Sequence, residues 1–340
     1  MLKFFHQIDL KKYVEIRKGE IKTGERIKTL RKNETLNALS GYYERGARFA
    51  LLGIPESVGV IANMGRPGTE TAWEAFLQSF LNIQSNRFFD ASAVVLLGQV
   101  DTLDVQRRAE ELDPKTDYYY QKLHILCAEM DDLVAPVIEA VVASGLIPIV
   151  IGGGHNNAYP LLKGTSVALG RKRGINAINM ATQANFRALE GRHSGNGFSY
   201  AKESGYLYKY FAFGLHQSYN AENMLLTMDS SRNVKYQFLE EITYLDKHLM
   251  AAIEYVHDEH VPCGIELNMD AIRMMPSSAV SPSGFSVEQA RHFVRKCAKS
   301  LKPAYLHLPE AAPETPEQER MVGKTLSYLI TDFIKNIGQE

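Results

Sequence analysis

Short apolar runs rich in β-branched residues alternate along the chain with longer segments of helical spacing. The runs that predict strands cover residues 49–54, 93–100, 147–151, 175–180, 208–214, 263–269 and 304–308. Helical spacing covers residues 118–143, where Pro136 is expected to kink or split the helix, and residues 316–336. Continuous apolar strands separated by helices are typical of a parallel sheet covered on both faces. We therefore predict an α/β protein, a three-layer α/β/α fold with a mostly parallel, doubly wound sheet.

The predicted domain organisation is one large domain preceded by a short extension. Residues 1–45 are polar and helix-prone and show no clear core pattern, which predicts an N-terminal extension packed on, or leading into, the main domain. Residues 46–340 contain no linker, internal repeat or composition break. We expect them to form a single α/β domain, since one large domain can reach this length.

Composition and charge are those of an ordinary globular protein. Apolar residues make up 45%, charged residues 23%, and the net charge is −1, so no global field attracts nucleic acids or anionic membranes. Cys127, Cys263 and Cys297 have no metal-binding spacing and do not pair off, which fits a reducing compartment. The chain begins without a signal-peptide pattern, and Glu139 and Pro148 interrupt its most apolar stretch. We expect a cytoplasmic protein with neither nucleic-acid nor membrane partners.

Four loops that follow predicted strands carry distinctive polar sequence. Ligand sites of parallel α/β sheets lie at the carboxyl ends of the strands, so these loops are the first candidates for a site. They read IGGGHNNAYP (151–160), NMATQANFRALEGRHSGNGFSYA (179–201), IELNMDAI (265–272) and LHLPEAAPE (306–314).

The order and spacing of these loops resemble the ureohydrolases, the arginase family that includes arginase, agmatinase and formimidoylglutamase. That family shows a Gly-Gly-x-His loop, then Asp-x-His-x-Asp, then Asp-x-Asp, then a Glu close to a Pro. The resemblance runs from about residue 51 to the C-terminus, and NMGRPGTE (63–70) and GRHSGNGFSYA (191–201) look most similar to the formimidoylglutamase-like branch. It implies an arginase-like fold and, since ureohydrolases commonly form trimers or hexamers, a homo-oligomer.

The resemblance also implies a reaction. Two manganese ions share a bridging hydroxide, which attacks the carbon of a guanidinium or formimino group. Residues two apart at a strand end point to the same side, so Asp-x-His-x-Asp and Asp-x-Asp can aim five side chains at one point. Carboxylate oxygens and imidazole nitrogens are donors that suit such divalent ions.

This chain departs from the family pattern at most of the metal-binding positions. His155 matches the first ligand and Asp270 the second Asp of Asp-x-Asp. Alanine and neutral amides stand at the other four positions, which are Ala181, Gln183, Asn185 and Asn268. Alanine offers no ligand atom, and amide oxygens bind manganese weakly without carboxylates beside them. Manganese is expected for the family, but we predict that this chain binds neither the manganese pair nor another cofactor.

The remainder of the family pocket is better preserved. Glu310 matches the glutamate that, in members acting on guanidines, pairs with the cationic substrate group. The loop that contacts the distal end of the substrate supplies Arg187, His193, Ser194 and Asn196. Arg187 could hold a ligand carboxylate in bidentate fashion, which suggests a cavity for a small amino-acid-like ligand. Alternatively, Arg187 and Glu310 form an internal ion pair.

Three functions follow as hypotheses. The first is a non-catalytic ureohydrolase homologue, a pseudoenzyme that binds a small ligand or a partner. The second is an active hydrolase of linear amidines with an altered or single-metal site, in which His155, Asp270 and Glu310 are the catalytic candidates and formimidoylglutamate the first substrate to test. The third is a structural protein with a collapsed pocket, in which Gln183 would be bonded to Asn268.

Overall fold

One ten-stranded sheet runs through the part of the chain that the computed structural model describes, residues 2–338. Residues 1, 339 and 340, which the predicted domain boundaries include, lie outside the described residues. The strand order is β1-β4-β3-β5-β10-β9-β6-β7-β8, and β2 also pairs with β4. The strands are β1 (Leu2–Phe4), β2 (Lys28–Thr29), β3 (Phe49–Gly53), β4 (Val94–Val100), β5 (Ile147–Ile151), β6 (Ile175–Met180), β7 (Leu207–Leu215), β8 (Val234–Phe238), β9 (Cys263–Leu267) and β10 (Pro303–Leu308).

Helices connect the strands. They are α1 (Gln7–Leu10), α2 (Thr23–Arg26), α3 (Leu39–Glu44), α4 (Val58–Ala62), α5 (Ala72–Phe80), α6 (Leu103–Glu110), α7 (Tyr119–Ala143), α8 (Ala158–Ala168), α9 (Gly197–Glu203), α10 (Glu222–Ser230), α11 (Leu245–Val256), α12 (Val287–Ser300) and α13 (Pro316–Asn336). Among the helices within residues 2–338, none is long and apolar enough to cross a membrane.

Two hydrophobic cores, one on each face of the sheet, make the fold three-layered. Successive residues of β3 show the division, since Leu51 belongs to the first core and Leu52 to the second. Helices α5, α11, α12 and α13 cover the first core, and α7 and α8 are among those that cover the second. Neighbouring strands are parallel except for β1 and β4. The predicted α/β/α fold with a mostly parallel sheet is therefore confirmed.

The N-terminal segment belongs to the same sheet as the main domain. Strand β1 pairs antiparallel with β4, and β2 pairs parallel with the same strand. Leu10 and Ile27 are buried in the first core, and Leu30 in the second. The sequence shows no core pattern in this segment, because its buried positions are isolated and do not form a periodic run.

The predicted strands agree with the structure to within two residues at each end. The strand predicted over 263–269 ends early, at Leu267, because the Asn268 side chain accepts a hydrogen bond from the Asp270 N–H and starts a turn. Helix α7 continues through Pro136 and is not split there. Strand β8 was missed, since only Val234 among its residues is buried.

Strand order explains why the four motif loops meet. Strands β5, β10, β9 and β6 are consecutive neighbours and parallel. Their carboxyl ends therefore share one edge, where the loops containing His155, Glu310, Asn268 and Ala181 begin.

Candidate functional site

The loop after β5 delivers His155 into the interior. Gly152 and Gly153 adopt φ values of 83° and 69°, which favour glycine. A Cβ at Gly153 would also lie 2.4 Å from the Asn157 amide nitrogen. The buried carboxylate of Glu56 holds the loop, accepting hydrogen bonds from Gly154 N at 2.8 Å and from Asn157 Nδ2 at 2.7 Å. Tight backbone packing thus explains the glycine run.

His155 is fully buried and contacts three neighbouring strand ends. Its backbone N–H donates to Glu310 Oε1 at 2.6 Å, and its Nδ1 accepts from Asn268 Nδ2 at 3.2 Å. Its Nε2 lies 3.3 Å from Glu266 Oε2, a contact too poorly aligned to be a hydrogen bond. Burial lowers the pKa of His155 and outweighs the opposite effect of Glu266. The ring is therefore neutral at physiological pH.

Glu266 and His307 lie beside His155 and were missed by the sequence analysis. They are paired in register on β9 and β10, and both are fully buried. His307 Nδ1 donates to Glu266 Oε2 at 2.6 Å, and the Tyr305 hydroxyl donates to Glu266 Oε1 at 2.7 Å. Burial opposes ionisation of Glu266, but the two imidazoles outweigh it and lower the pKa to about 2. The signal in the sequence was an ionisable residue inside each of two apolar strands.

Asp270 is buried but stands apart from this cluster. Thr182 Oγ1 donates to its Oδ1 at 3.2 Å. Burial raises the pKa of Asp270 to about 7. Within residues 2–338, the group of three or more potential metal ligands that comes together is His155, Glu266 and His307, without Asp270.

Glu310 is held inside the protein and does not pair with Arg187. It adopts φ 71°, an uncommon conformation for a residue other than glycine. It accepts hydrogen bonds from the His155 backbone and from the Ser278 hydroxyl. Burial, with a smaller contribution from the charge of Asp270, raises the pKa of Glu310 to about 7. The alternative of an Arg187–Glu310 ion pair is therefore wrong.

The four positions at which we expect the family's ligands to be replaced do not form a metal-binding group. Ala181 is buried and offers no donor atom. Asn185 donates from Nδ2 to the Ser194 carbonyl at 3.0 Å. Asn268 is bonded to His155 and Asp270 N, and not to Gln183 as a collapsed pocket would require. Among the six positions that match the family's metal-binding motifs, His155 and Asp270 are the ionisable side chains. This donor set does not fit two manganese ions, because one carboxylate and one imidazole cannot offset their charge.

The loop between Asn185 and Gly197 is fixed by a buried arginine. The Arg192 guanidinium forms a bidentate ion pair with Asp131 at 2.7 and 3.1 Å and lies over the rings of Tyr159 and Tyr200. It also donates to Asn196 Oδ1 at 2.8 Å. Burial raises the pKa of Asp131 to about 6, although Arg192 opposes the shift.

Three of the four predicted ligand-contacting residues are hydrogen-bonded to other residues of the protein. Asn196 accepts from the His193 backbone and donates to the Gly191 carbonyl. His193 Nδ1 accepts from Gly195 N, and Ser194 Oγ accepts from Asn63. His193, Ser194 and Asn196 are buried, so the structure gives them a role in loop conformation.

Arg187 is the exception, because it lines a cavity of about 600 Å³. Its side chain is 54% exposed and pairs with Glu190 at 2.9 Å. Amide, cationic and anionic side chains line the same cavity, and they include Gln183, Asn185, Lys202, Glu203 and Asn220. The cavity therefore offers both signs of charge beside two of the positions where the family carries metal ligands.

Comparison with known proteins identifies the class that this fold and these loops define. The arginase family model matches residues 47–334. The formimidoylglutamase of Geobacillus kaustophilus (strain HTA426) is 24% identical over 292 residues, which cover 84% of this chain and 82% of the relative. The chain therefore belongs to the arginase family and is formimidoylglutamase-like.

Solved structures show the same fold. The formimidoylglutamase of Bacillus subtilis superposes with a TM-score of 0.74 at 14% identity, covering 96% of this chain and 95% of that one. The formiminoglutamase of Trypanosoma cruzi, solved with Mn2+, gives a TM-score of 0.70 at 18% identity and covers 92% of this chain and 98% of that one.

Proposed function

We propose that this chain is a non-catalytic member of the arginase family that binds a small amino-acid-like ligand. The proposal rests on the contacts made by the side chains that follow the strands at the expected metal-binding positions. Asn268 and Asn185 are bonded within the protein, and Ala181 has no donor atom. Without a metal pair no activated hydroxide forms, and hydrolysis by the family mechanism is lost.

The cavity beside Arg187 supports the ligand part of the proposal. An amino acid carries both a carboxylate and an ammonium group, and the cavity wall has cations at Arg187 and Lys202 and anions at Glu190 and Glu203. Arg187 already pairs with Glu190, so a ligand carboxylate would have to compete with Glu190. This competition costs little, because an exposed ion pair contributes little free energy in water.

A second candidate is an active hydrolase of linear amidines. It is favoured by Asp270 and Glu310, two buried carboxyl groups with pKa values of about 7. A general acid or base works best with a pKa near the operating pH. The position of Asp270 and Glu310 argues against a hydrolase, since neither residue lines the cavity that contains Arg187.

The test is hydrolysis of formimidoylglutamate, agmatine and arginine in the presence of manganese. The non-catalytic proposal expects no formamide or urea above the level of a heat-denatured sample, while an active formimidoylglutamase assayed in parallel produces formamide. Turnover that disappears in Asp270→Asn would overturn it and support the hydrolase.

Ligand binding is tested separately by calorimetric titration with glutamate and formimidoylglutamate. We expect binding that Arg187→Ala weakens by about tenfold, the loss of roughly 1.4 kcal/mol that one charged hydrogen-bonding contact contributes. The control is Arg45→Ala, an exposed arginine outside the cavity. Equal affinity in the two variants would contradict the assignment of this cavity as the ligand-binding site.

A further inference from the structure

Three ionisable side chains, two from neighbouring strands and one from a loop, converge on the face of the sheet that borders the second core. Glu266 and His307 occupy paired positions on β9 and β10, and His155 arrives from the loop after β5. All three are fully buried. Ionisable groups at such positions are rare unless they are paired or bind a metal.

The spacing of the donor atoms suits one ion. One donor atom from each residue lies within 4.8 Å of the other two. A tetrahedral zinc ion about 2.1 Å from each donor places those donors ~3.4 Å apart. His155 Nε2 and Glu266 Oε2 are 3.3 Å apart, close to that separation.

His307 needs a small adjustment. Its Nδ1 is 2.6 Å from Glu266 Oε2, a hydrogen-bond distance. The ring and the carboxylate would have to separate by roughly 0.8 Å to share one ion.

One buried imidazole nitrogen supports the assignment independently. Within residues 2–338, His155 Nε2 has no hydrogen-bond partner, although it lies 3.3 Å from Glu266 Oε2. Buried polar atoms are nearly always satisfied, so this orphaned nitrogen beside a carboxylate indicates a missing partner.

Further side chains hold the three residues in place. The Tyr305 hydroxyl donates to Glu266 Oε1, and the absence of a side chain at Gly264 leaves room for the Tyr305 ring. Asn268 contacts His155 Nδ1 at 3.2 Å. Metal binding at Nε2 moves the ring proton to Nδ1, and the Asn268 amide would then turn its oxygen toward it. Outer contacts of this kind orient metal-binding histidines.

We propose that His155, Glu266 and His307 bind a single divalent cation of the zinc type. Two imidazole nitrogens and one carboxylate oxygen are donors that zinc and its neighbours in the first transition row accept. Glu266 and His307 lie outside the positions where the family motifs carry their metal ligands, so this is not the manganese pair of the family.

The role of this ion would be structural. None of the three side chains is exposed, so no substrate reaches the ion. It would join the loop after β5 to β9 and β10 and stabilise the folded chain by its binding free energy. The inference goes beyond the proposed function and can hold whether or not the protein hydrolyses amidines.

The test is the metal content of the full-length chain purified without metal-affinity steps. Elemental mass spectrometry should find about one zinc ion per chain, and chelator treatment should lower the melting temperature until zinc is restored. Glu266→Gln and His307→Asn should each lose the ion, while Asp270→Asn keeps it. Circular dichroism establishes that each variant is folded.

Several results would overturn the inference. One is a wild-type protein without bound metal whose melting temperature does not respond to zinc after chelation, a result that decides the question even where a variant fails to fold. Another is a Glu266→Gln variant that keeps the ion together with an Asp270→Asn variant that loses it. Formamide release in the hydrolysis assay would overturn the proposed function alone.

Discussion

At the residue scale, Glu266 carries a full negative charge where water does not reach. Its two oxygens accept hydrogen bonds from Tyr305 and His307, and these bonds replace the lost hydration. Asp270 is also buried but has the Thr182 hydroxyl as its side-chain donor. The same burial therefore leaves the pKa of Glu266 at about 2 and that of Asp270 at about 7.

Glu266→Gln should destabilise the protein. Because the pKa of Glu266 falls from 4.5 to about 2 on folding, the ionised group stabilises the folded state above pH 4.5, and this stabilisation is lost as the pH falls through 2. We expect a loss of roughly 3 kcal/mol at pH 7. Urea denaturation with a chelator present measures it without any contribution from bound metal. Glu139→Gln, the same change on the exposed side of α7, should alter the free energy of unfolding by less than about 0.5 kcal/mol.

Asp270→Asn should change the pH dependence of stability in the opposite sense. A carboxyl group whose pKa rises from 3.8 to about 7 on folding stabilises the folded state below pH 3.8, and this stabilisation is lost as the pH rises toward 7. The variant should therefore gain roughly 2–3 kcal/mol relative to the wild type between pH 5 and pH 8. Urea denaturation at the two pH values checks this, and parallel pH profiles would contradict it.

The sequence could indicate this site only in part. It placed His155, Asn268 and Glu310 at strand ends that meet, because those strands are neighbours in the sheet. It could not pair Glu266 with His307, since that contact depends on the register between β9 and β10. Nor could it show that Arg187 turns to Glu190 while Glu310 bonds to the His155 backbone.

At the element scale, the loop between β6 and α9 depends on one buried ion pair. Arg192 joins the loop to Asp131 on α7, with both side chains at most 6% exposed. Arg187, five residues earlier, forms its pair at the surface. The two arginines thus provide a matched comparison within one loop.

Arg192→Ala should cost about 3–5 kcal/mol, because it leaves the Asp131 carboxylate buried without its partner. Arg187→Ala should cost less than about 1 kcal/mol, since its pair with Glu190 is exposed. Thermal or urea denaturation of the two variants measures the difference. Equal losses would mean that the ion pair with Asp131 does not hold the loop.

Elements were predictable where burial on both faces left a continuous apolar run. Strands β5 and β6 were placed with their observed bounds for this reason. Strand β8 lies at the sheet edge with one buried residue, and β1 and β2 contain three and two residues. Too few side chains of these edge strands face the core to create a pattern.

At the scale of the whole molecule, the chain has an arginase-family fold, and we propose that its strand-end edge lacks the family's metal ligands. The fold does not depend on those ligands, since its two cores are built from apolar side chains on both faces of the sheet. The proposed substitutions would therefore change the chemistry without changing the scaffold. The homo-oligomer implied by the resemblance stays a prediction, which light scattering can test.

Restoring the family ligands should restore metal binding. A variant with four substitutions would again surround one point with carboxylates and imidazoles. The substitutions are Ala181→Asp, Gln183→His, Asn185→Asp and Asn268→Asp. We expect this variant to bind two manganese ions per chain in a calorimetric titration, while the wild type binds no pair. A folded variant with no gain in manganese binding would show that these positions do not correspond to the family's ligands.

The non-catalytic proposal requires that the wild-type chain holds no pair of manganese ions at this edge of the sheet. The direct measurement is anomalous diffraction at the manganese edge, from crystals of the wild-type protein grown with manganese. We expect no pair of peaks between His155, Gln183 and Asp270, and at most one peak, beside Glu266 and His307. Two peaks about 3.5–4 Å apart among His155, Asn185 and Asp270 would contradict it.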